Sequence, residues 1–213
     1  MRGGIFFGLI AAFLSGCAVT QPPDLTAFKE VRPRSILVVP PANKSLDVDA
    51  PNYLLTTLPY PIAEKGYYVF PVHTVKTVLE QEGLYEGEQV RQHPTQALAD
   101  LFGADAVLYV TINKWDAQYA LLSTVVTVDF DYEIVNRDGG SLWKANQKMQ
   151  YSPQQAQGGH PIAMLISAAV SAAVTRAAPN YMPLTKQANN IVLRTGVTAI
   201  PDGPYMPQDK TKK

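Results

Sequence analysis

The chain has 213 residues, of which 46% are hydrophobic and 17% are charged. This composition is typical of a folded globular protein and excludes an extended disordered chain. Eighteen Lys and Arg residues balance 18 Asp and Glu residues, which excludes the strong basic charge that binds nucleic acid.

The first residues have the anatomy of a secretion signal. A cationic start at Arg2 precedes an apolar run over residues 5–14. A helix needs roughly 20 apolar residues to cross a bilayer, and this run is shorter. We therefore predict a cleaved signal over residues 1–16.

The segment Leu14-Ser15-Gly16-Cys17 resembles the lipobox of bacterial lipoproteins. The resemblance implies that Cys17 is linked by a thioether to diacylglycerol, that residues 1–16 are removed, and that the new amino terminus is acylated. Two or more acyl chains give a stable anchor. By resemblance to lipoproteins of enteric bacteria, Ala18 favours the periplasmic side of the outer membrane. The alternative is an ordinary secreted protein with a chance cysteine.

Cys17 is the only cysteine, so its lipidation would leave no thiol for a disulfide, a metal site or a nucleophile. Prolines and scattered polar residues predict a lipidated tether over residues 17–34. We place one α/β domain at residues 35–196. The proline- and lysine-rich residues 197–213 predict a disordered tail.

The first half of the domain predicts a strand–helix rhythm. Continuous apolar runs at residues 35–39 and 104–111 indicate buried strands, with a further strand at 67–72. Helices are predicted within Asn52–Glu64, split by its prolines, and over about 74–82 and 94–102. The rhythm predicts parallel strands covered by helices.

After Trp115 the pattern alternates, as in a sheet with one wet face. A two-residue turn at Asp138-Gly139 would place Glu133 opposite Lys144, and this register pairs opposite charges and apolar side chains together. The four pairs that it predicts are Glu133 with Lys144, Asp129 with Lys148, Ile134 with Trp143, and Val128 with Met149. The fold class is therefore α/β, with a mixed sheet in a three-layer-like arrangement: a parallel start, an antiparallel hairpin end and covering helices.

The same strand carries the row Asp129, Asp131 and Glu133 on one face. Neighbouring members lie about 6.5 to 7 Å apart, too far to share a small ion unaided. We interpret the row as a solvated, salt-bridged face. A calcium site, an acid/base pair and a pore lining remain alternatives.

Residues 161–178 predict an apolar, alanine-rich helix that is too short to span a bilayer. Its small residues would allow close approach of another backbone. The candidate interface residues are Ser167, Ala168, Ser171 and Ala172; burial against the sheet is the alternative. A last helix is predicted from Leu184 to Arg194.

Catalytic and cofactor motifs are missing from the sequence. The three histidines stand in separate segments without ligand spacing. We find no GxSxG elbow, no phosphate loop and no GxGxxG after a strand. Asp105 is an active-site candidate, but a turn role is simpler. We expect no enzymatic activity, no cofactor and no metal.

Four segments carry a family resemblance: Ile36-Leu-Val-Val-Pro-Pro-Ala-Asn43, Tyr67-Tyr-Val-Phe-Pro71, Leu79-Glu-Gln-Glu-Gly83 and Ala99-Asp-Leu-Phe-Gly-Ala-Asp-Ala-Val-Leu-Tyr-Val110. They resemble a bacterial lipoprotein family of unknown function encoded beside curli-secretion-like (CsgG-like) lipoproteins. The strand–helix order is more distantly similar to CsgG, LpoB and the TolB amino-terminal domain. These relatives imply a shared α/β fold in envelope assembly, without catalytic residues.

The sequence thus predicts a non-enzymatic accessory module of a secretion, transport or envelope-assembly complex. Expected partners are the membrane, through the lipid on Cys17, and envelope proteins such as a CsgG-like lipoprotein or a cell-wall synthase. A homo-oligomer and, further, an oligomeric curli-secretion-like channel component are alternatives. A periplasmic enzyme acting on peptidoglycan or lipid is a third.

Overall fold

The computed structural model describes residues 22–120, 123–151 and 181–207. Its six strands form one mixed sheet. Five of them follow the order β3-β1-β4-β5-β6, and the sixth, β2, pairs with β4 on the same side as β1 but further along β4. The strands are β1 Ser35–Val38, β2 Ala42–Asn43, β3 Tyr68–Val69, β4 Ala106–Ala120, β5 Ser123–Asn136 and β6 Ser141–Tyr151.

The parallel half of the sheet forms around β1, whose four residues are all buried. Strand β1 runs parallel to β3 on one side and to β4 on the other, with Ile36 opposite Val69 and Ala106. Strands buried on both faces read as continuous apolar runs. The predicted parallel arrangement is therefore confirmed.

Helices cover both faces of this half. The described helices are α1 Thr26–Val31, α2 Ala50–Thr57, α3 Pro59–Glu64, α4 Val72–Gln81, α5 Gly87–Gln92, α6 Thr95–Phe102 and α7 Met182–Asn190, which continues as a π-helical turn at Ile191–Thr195. Proline at the first position of α3 separates it from α2, as predicted. None of the described helices is long and apolar enough to cross a membrane.

Two apolar clusters sandwich the sheet. The larger contains Leu54 of α2, Ile62 of α3 and Leu184 of α7, packed on the face that carries Ile36 and Phe130. The smaller contains apolar residues of α4, α5 and α6 on the opposite face of β1 and β4; among them are Val75, Val90, Leu98, Leu37 and Val107. The three-layer arrangement of the predicted fold class is thus confirmed.

The hairpin register is confirmed, but the predicted turn is wrong. All four predicted pairs occur in β5 and β6. The Gly139 amide donates to the Asn136 carbonyl, and the Asn136 amide donates to the Gly140 carbonyl, so the loop has three residues. Between the pair Val135–Ser141 and the pair Ile134–Trp143, the register shifts by one residue. A three-residue loop with this bulge therefore gives the same register as a two-residue turn.

Other elements differ in length from the predictions. Strand β4 extends to Ala120, well beyond Thr111, because it continues along β5 after its pairing with β2 ends. Strand β3 has only two residues, and α4 begins at Val72. Helix α5 was not predicted; its side chains form a capping box between Glu86 and Gln89.

The ordered fold extends past both predicted domain limits. Helix α1 lies in the expected tether, and its Phe28 ring packs edge-on against Tyr67 at 6.1 Å between centroids. In the expected tail, Ile200 is buried and the Gly203 amide donates to the Lys65 carbonyl. The tether predicted for 17–34 is therefore helical at residues 26–31, and the disorder predicted for 197–213 is wrong at residues 200–203, because contacts with distant residues such as Tyr67 and Lys65 hold both segments.

Candidate interaction surface

The predicted row of carboxylates lies on the open face of β5. The Glu133 carboxylate pairs with Arg91 at 2.8 Å and with Lys144 at 3.0 Å. Burial raises the pKa of Glu133, but the hydrogen bond from Lys144 and the charges of Lys144 and Arg91 outweigh it and leave the pKa lowered. Glu133 therefore stays ionised near neutral pH and is unsuited to donating a proton.

The two aspartates of the row are held by amide side chains. Asn146 Nδ2 donates to Asp129 at 2.9 Å and to Asp131 at 2.8 Å. Asn113 Nδ2 donates to Asp131 at 2.6 Å. Lys148 is opposite Asp129 in register, but the contact on Asp129 comes from Asn146.

This arrangement supports the ion-paired, solvated interpretation of the row. A shallow depression of about 410 Å³ lies over it, lined in part by Arg91, Thr111 and Lys144. Within residues 22–120, 123–151 and 181–207, no group of three His, Cys, Asp or Glu side chains is placed to hold a metal ion. The face presents charged and hydrogen-bonding side chains.

Asp105 connects the start of β1 to the start of β4 rather than lining a cleft. Its Oδ2 accepts hydrogen bonds from the amides of Arg34 and Ser35, at 2.9 and 3.1 Å, and from the Ser35 hydroxyl. The Ser35 hydroxyl in turn accepts from the Asp105 amide. These bonds fasten the start of β1 to the start of β4, which supports the structural role.

The loop of residues 44–49, which we call the distal loop, presents two apolar side chains to solvent. Leu46 is fully exposed, and Val48 is 83% exposed. The loop follows β2, whose Asn43 is opposite Ile112 of β4. The chain enters β1 opposite Ala106, so the loop begins about 20 Å further along β4.

Side chains at both ends fix the shape of the distal loop. Asn43 Oδ1 accepts from the Ser45 amide at 3.0 Å, and Asn43 Nδ2 donates to the Asp47 carbonyl at 2.8 Å. Asp47 Oδ1 accepts from the Asp49 amide at 2.9 Å. A loop ordered before binding loses less entropy when a partner docks. Tyr53, half exposed at the start of α2, stacks on Trp115 beyond the loop.

Single exposed apolar residues are ordinary, but two on one preorganised loop mark a candidate contact surface. This surface was not predicted from the sequence. The signal for it in the sequence is the presence of Leu46 and Val48 among turn-forming residues such as Asn43 and Asp47.

The residues named earlier as sites lie elsewhere. Cys17 and the candidate interface residues Ser167, Ala168, Ser171 and Ala172 fall outside the described residues. Lipidation of Cys17 and an interface on the alanine-rich segment therefore stay predictions.

Comparison with known proteins relates the chain to lipoproteins. A family model described as "Putative lipoprotein GNA1162-like" matches residues 23–205. A relative from Neisseria meningitidis serogroup B, named "Putative lipoprotein NMB1124/NMB1162", is 33% identical over 98% of this chain and 99% of its own. The crystal structure of lipoprotein GNA1162 from Neisseria meningitidis superposes with a TM-score of 0.56 at 34% identity, covering 66% of this chain and 97% of that chain.

The LpoB C-terminal domain from Salmonella enterica matches at 16% identity with a TM-score of 0.36, covering 58% of this chain and 91% of that chain. The lipoprotein resemblance is confirmed by the family model and by the relative from Neisseria meningitidis. The expected gene neighbourhood beside CsgG-like lipoproteins stays a prediction.

Proposed function

Since the chain belongs to the GNA1162-like lipoprotein family, we propose that it is a lipid-anchored, non-enzymatic accessory module that binds other proteins of the bacterial envelope. The lipid on Cys17 would hold it at the periplasmic side of the outer membrane. Its partners would belong to a secretion, transport or envelope-assembly complex, such as a CsgG-like lipoprotein or a cell-wall synthase.

The observation that carries this proposal is the preorganised distal loop at the end of the sheet opposite the tether. The chain enters the sheet at Ser35, whereas Leu46 and Val48 project beyond the end of β2. Anchoring confines the module to a surface and raises the effective concentration of nearby partners. Contacts that include these two aliphatic side chains then need less intrinsic affinity to hold a partner.

The polar face supports a binding role over catalysis. Glu133 is ionised and paired with two cations, and both aspartates of its row accept hydrogen bonds from amide groups. General acid/base catalysis needs a group whose pKa lies near the working pH. The pKa of Glu133 is shifted in the opposite direction, away from neutrality.

Light crosslinking in the native envelope, followed by affinity capture and mass spectrometry, tests this function. We expect a reproducible set of envelope proteins with the wild type and its loss with Cys17→Ser. A Leu46→Ser/Val48→Ser double variant should lower recovery at least tenfold, because burial of each aliphatic side chain contributes about 1.5–3 kcal/mol and about 1.4 kcal/mol is a factor of ten in affinity.

The matched control is Leu101→Ser/Val197→Ser, which removes two other exposed aliphatic side chains and should leave recovery unchanged. Full recovery with the distal-loop variant would contradict the assigned contact surface. Recovery of the chain alone would favour the oligomeric channel component, and recovery of nothing would favour an enzyme or a ligand-binding protein.

A further inference from the structure

A pocket of about 360 Å³ lies at the tether end of the fold, between α1 and the segment that follows the π-helical turn. Phe28, Tyr67 and Pro201 are among its apolar lining residues, and Lys29 and Arg32 supply basic ones. The Tyr67 hydroxyl donates to the Pro201 carbonyl at 2.9 Å. The pocket is therefore built from the first and last parts of the described chain.

Most of the other cations at this end are paired. Lys65 contacts Asp202 at 2.5 Å, Arg194 contacts Glu64 at 3.3 Å, and Arg137 contacts Asp100. Arg34 lies 3.9 Å from Asp105.

Lys29 and Arg32 differ from these cations. In the part of the chain that the structure describes, neither has an ion-pair partner, and the Arg32 Nε donates to the Lys29 carbonyl. Glu30 lies on the same helix but does not line the pocket. Asp202 does, and it is neutralised by Lys65. Asp24, just before α1, interacts electrostatically with Lys29, but no direct ion pair joins them in the described residues. The rim of the pocket therefore presents two cations that are free of direct ion pairs.

Two exposed tyrosines lie at the same end of the sheet. Tyr205 is 62% exposed, and its amide donates to the Gly66 carbonyl, next to the pocket. Tyr68 is 52% exposed at the start of β3. Tyrosine rings are enriched at membrane–water interfaces, where the ring contacts apolar groups and the hydroxyl stays hydrated.

The tether sets how far this end can lie from a membrane. Eight residues separate Cys17 from the start of α1 at Thr26. A fully extended chain of that length spans at most about 30 Å. Basic side chains near an anionic surface contribute about 1 kcal/mol each, and the attraction falls off within a Debye length of about 8 to 10 Å.

We propose that the tether end of this fold docks on the membrane leaflet that carries its lipid, with an anionic phospholipid headgroup bound between Lys29 and Arg32 and with Tyr68 and Tyr205 at the interface. This inference rests on the proposed anchoring at Cys17. Docking would fix the orientation of the module and direct the distal loop away from the membrane toward its partners.

The experiment uses the full-length lipidated protein in vesicles of phosphatidylglycerol and phosphatidylcholine. Because Cys17 would carry the lipid, a Tyr205→Cys variant has one free thiol for an environment-sensitive dye. Leu46→Cys provides the matched position at the opposite end. We expect a quencher attached to lipid headgroups to quench the dye at position 205 about threefold more than at position 46.

Equal quenching at the two positions in vesicles that carry the protein would overturn docking. Failure of the protein to float with the vesicles would instead contradict the anchor, so the two failures are distinguishable.

A charge-reversal pair tests the basic rim separately. Lys29→Glu/Arg32→Glu should abolish the difference between positions 205 and 46. Lys44→Glu/Lys114→Glu, which reverses two exposed cations nearer the opposite end, should preserve it. Thermal unfolding of each variant verifies the fold. A difference that survives Lys29→Glu/Arg32→Glu, or that is equally large in vesicles of phosphatidylcholine alone, would overturn headgroup binding.

Discussion

At the scale of single residues, a buried hydrogen-bond chain joins the sheet to two helices. The Tyr132 hydroxyl donates to Asn189 Oδ1 at 2.6 Å, and Asn189 Nδ2 donates to the Thr57 hydroxyl at 2.7 Å. Thr57 donates in turn to the Leu54 carbonyl. Each side chain of this hydrogen-bond network has a partner, so the network fixes the position of α7 on the sheet.

We expect Tyr132→Phe to lower the free energy of unfolding by about 1–3 kcal/mol, because Asn189 Oδ1 would lose its buried donor. Urea unfolding at pH 7 measures this. Tyr60→Phe, at an exposed tyrosine, is the control and should change little. An unchanged unfolding midpoint for Tyr132→Phe would show that the bond does not stabilise the fold.

The same variant has a distinct pH dependence. Burial, together with the charge of Asp129, raises the pKa of Tyr132 well above its ordinary value. The neutral phenol is therefore stabilised in the folded state, and this contribution is present below the unfolded pKa of about 10 and lost as pH rises above it. The stability difference between wild type and Tyr132→Phe should shrink above about pH 10.

At the scale of elements, the β5–β6 hairpin shows what a sequence pattern can determine. Charge pairing and apolar pairing agreed on one register, so the four residue pairs were predictable from the amino-acid pattern alone. The turn was not, because a three-residue loop plus a bulge and a two-residue loop give the same strand alignment. The sequence pattern constrains side chains on faces, whereas the turn depends on backbone geometry near Gly139, whose φ is 85°.

The ion pairs of this hairpin predict an acid-sensitive contribution to stability. The lowered pKa of Glu133 means that its contribution is present above the unfolded pKa of about 4.3 and is lost as pH falls through the folded pKa. Glu133→Gln should cost about 1 kcal/mol at pH 7. The difference from wild type should vanish at low pH.

Urea unfolding from pH 7 down to pH 3 measures this effect. Asp116→Asn, at an exposed carboxylate of β4, is the control and should run parallel to wild type. A difference that stays constant with pH would show that the Glu133 charge does not contribute.

The structure at the two ends of the described chain could not be predicted from the local sequence. Phe28, Tyr67 and Pro201 are far apart in sequence but meet in one cluster. Local composition at both ends is polar and proline-rich, so it predicted a tether and a tail. Only the tertiary contacts reveal that these segments are part of the fold. Likewise, the exposure of Leu46 follows from where β2 ends, which apolar periodicity does not encode.

Gly203 makes the closing contact of the carboxyl-terminal segment. A Cβ at this position would lie 2.4 Å from the Gly66 carbonyl oxygen, which is backbone and cannot rotate away. We expect Gly203→Ala to destabilise the protein by about 1–3 kcal/mol and to expose Tyr67. Gly83→Ala, where a Cβ meets open space at a φ of 81°, should cost only about 1 kcal/mol. Thermal unfolding midpoints of the two variants test this contact. A midpoint for Gly203→Ala that is no lower than that of Gly83→Ala would contradict it.

At the scale of the whole molecule, the fold has two unlike ends. One end receives the tether and presents Lys29, Arg32 and exposed tyrosines; the other presents Leu46 and Val48 on a preorganised loop. This polarity matches a module that is held at a surface by one end and contacts proteins with the other. The function could be predicted from the sequence only to the level of a lipoprotein, since the contact residues depend on tertiary exposure.

The most direct test of the anchored module is mass spectrometry of the amino terminus of the protein purified from membranes of its native cells. We predict a mature chain that begins at Cys17 and carries a thioether-linked diacylglycerol and an amino-terminal acyl group, and that is absent from Cys17→Ser cells. A processed chain with an unmodified cysteine, recovered in the soluble periplasmic fraction, would contradict the lipid anchor.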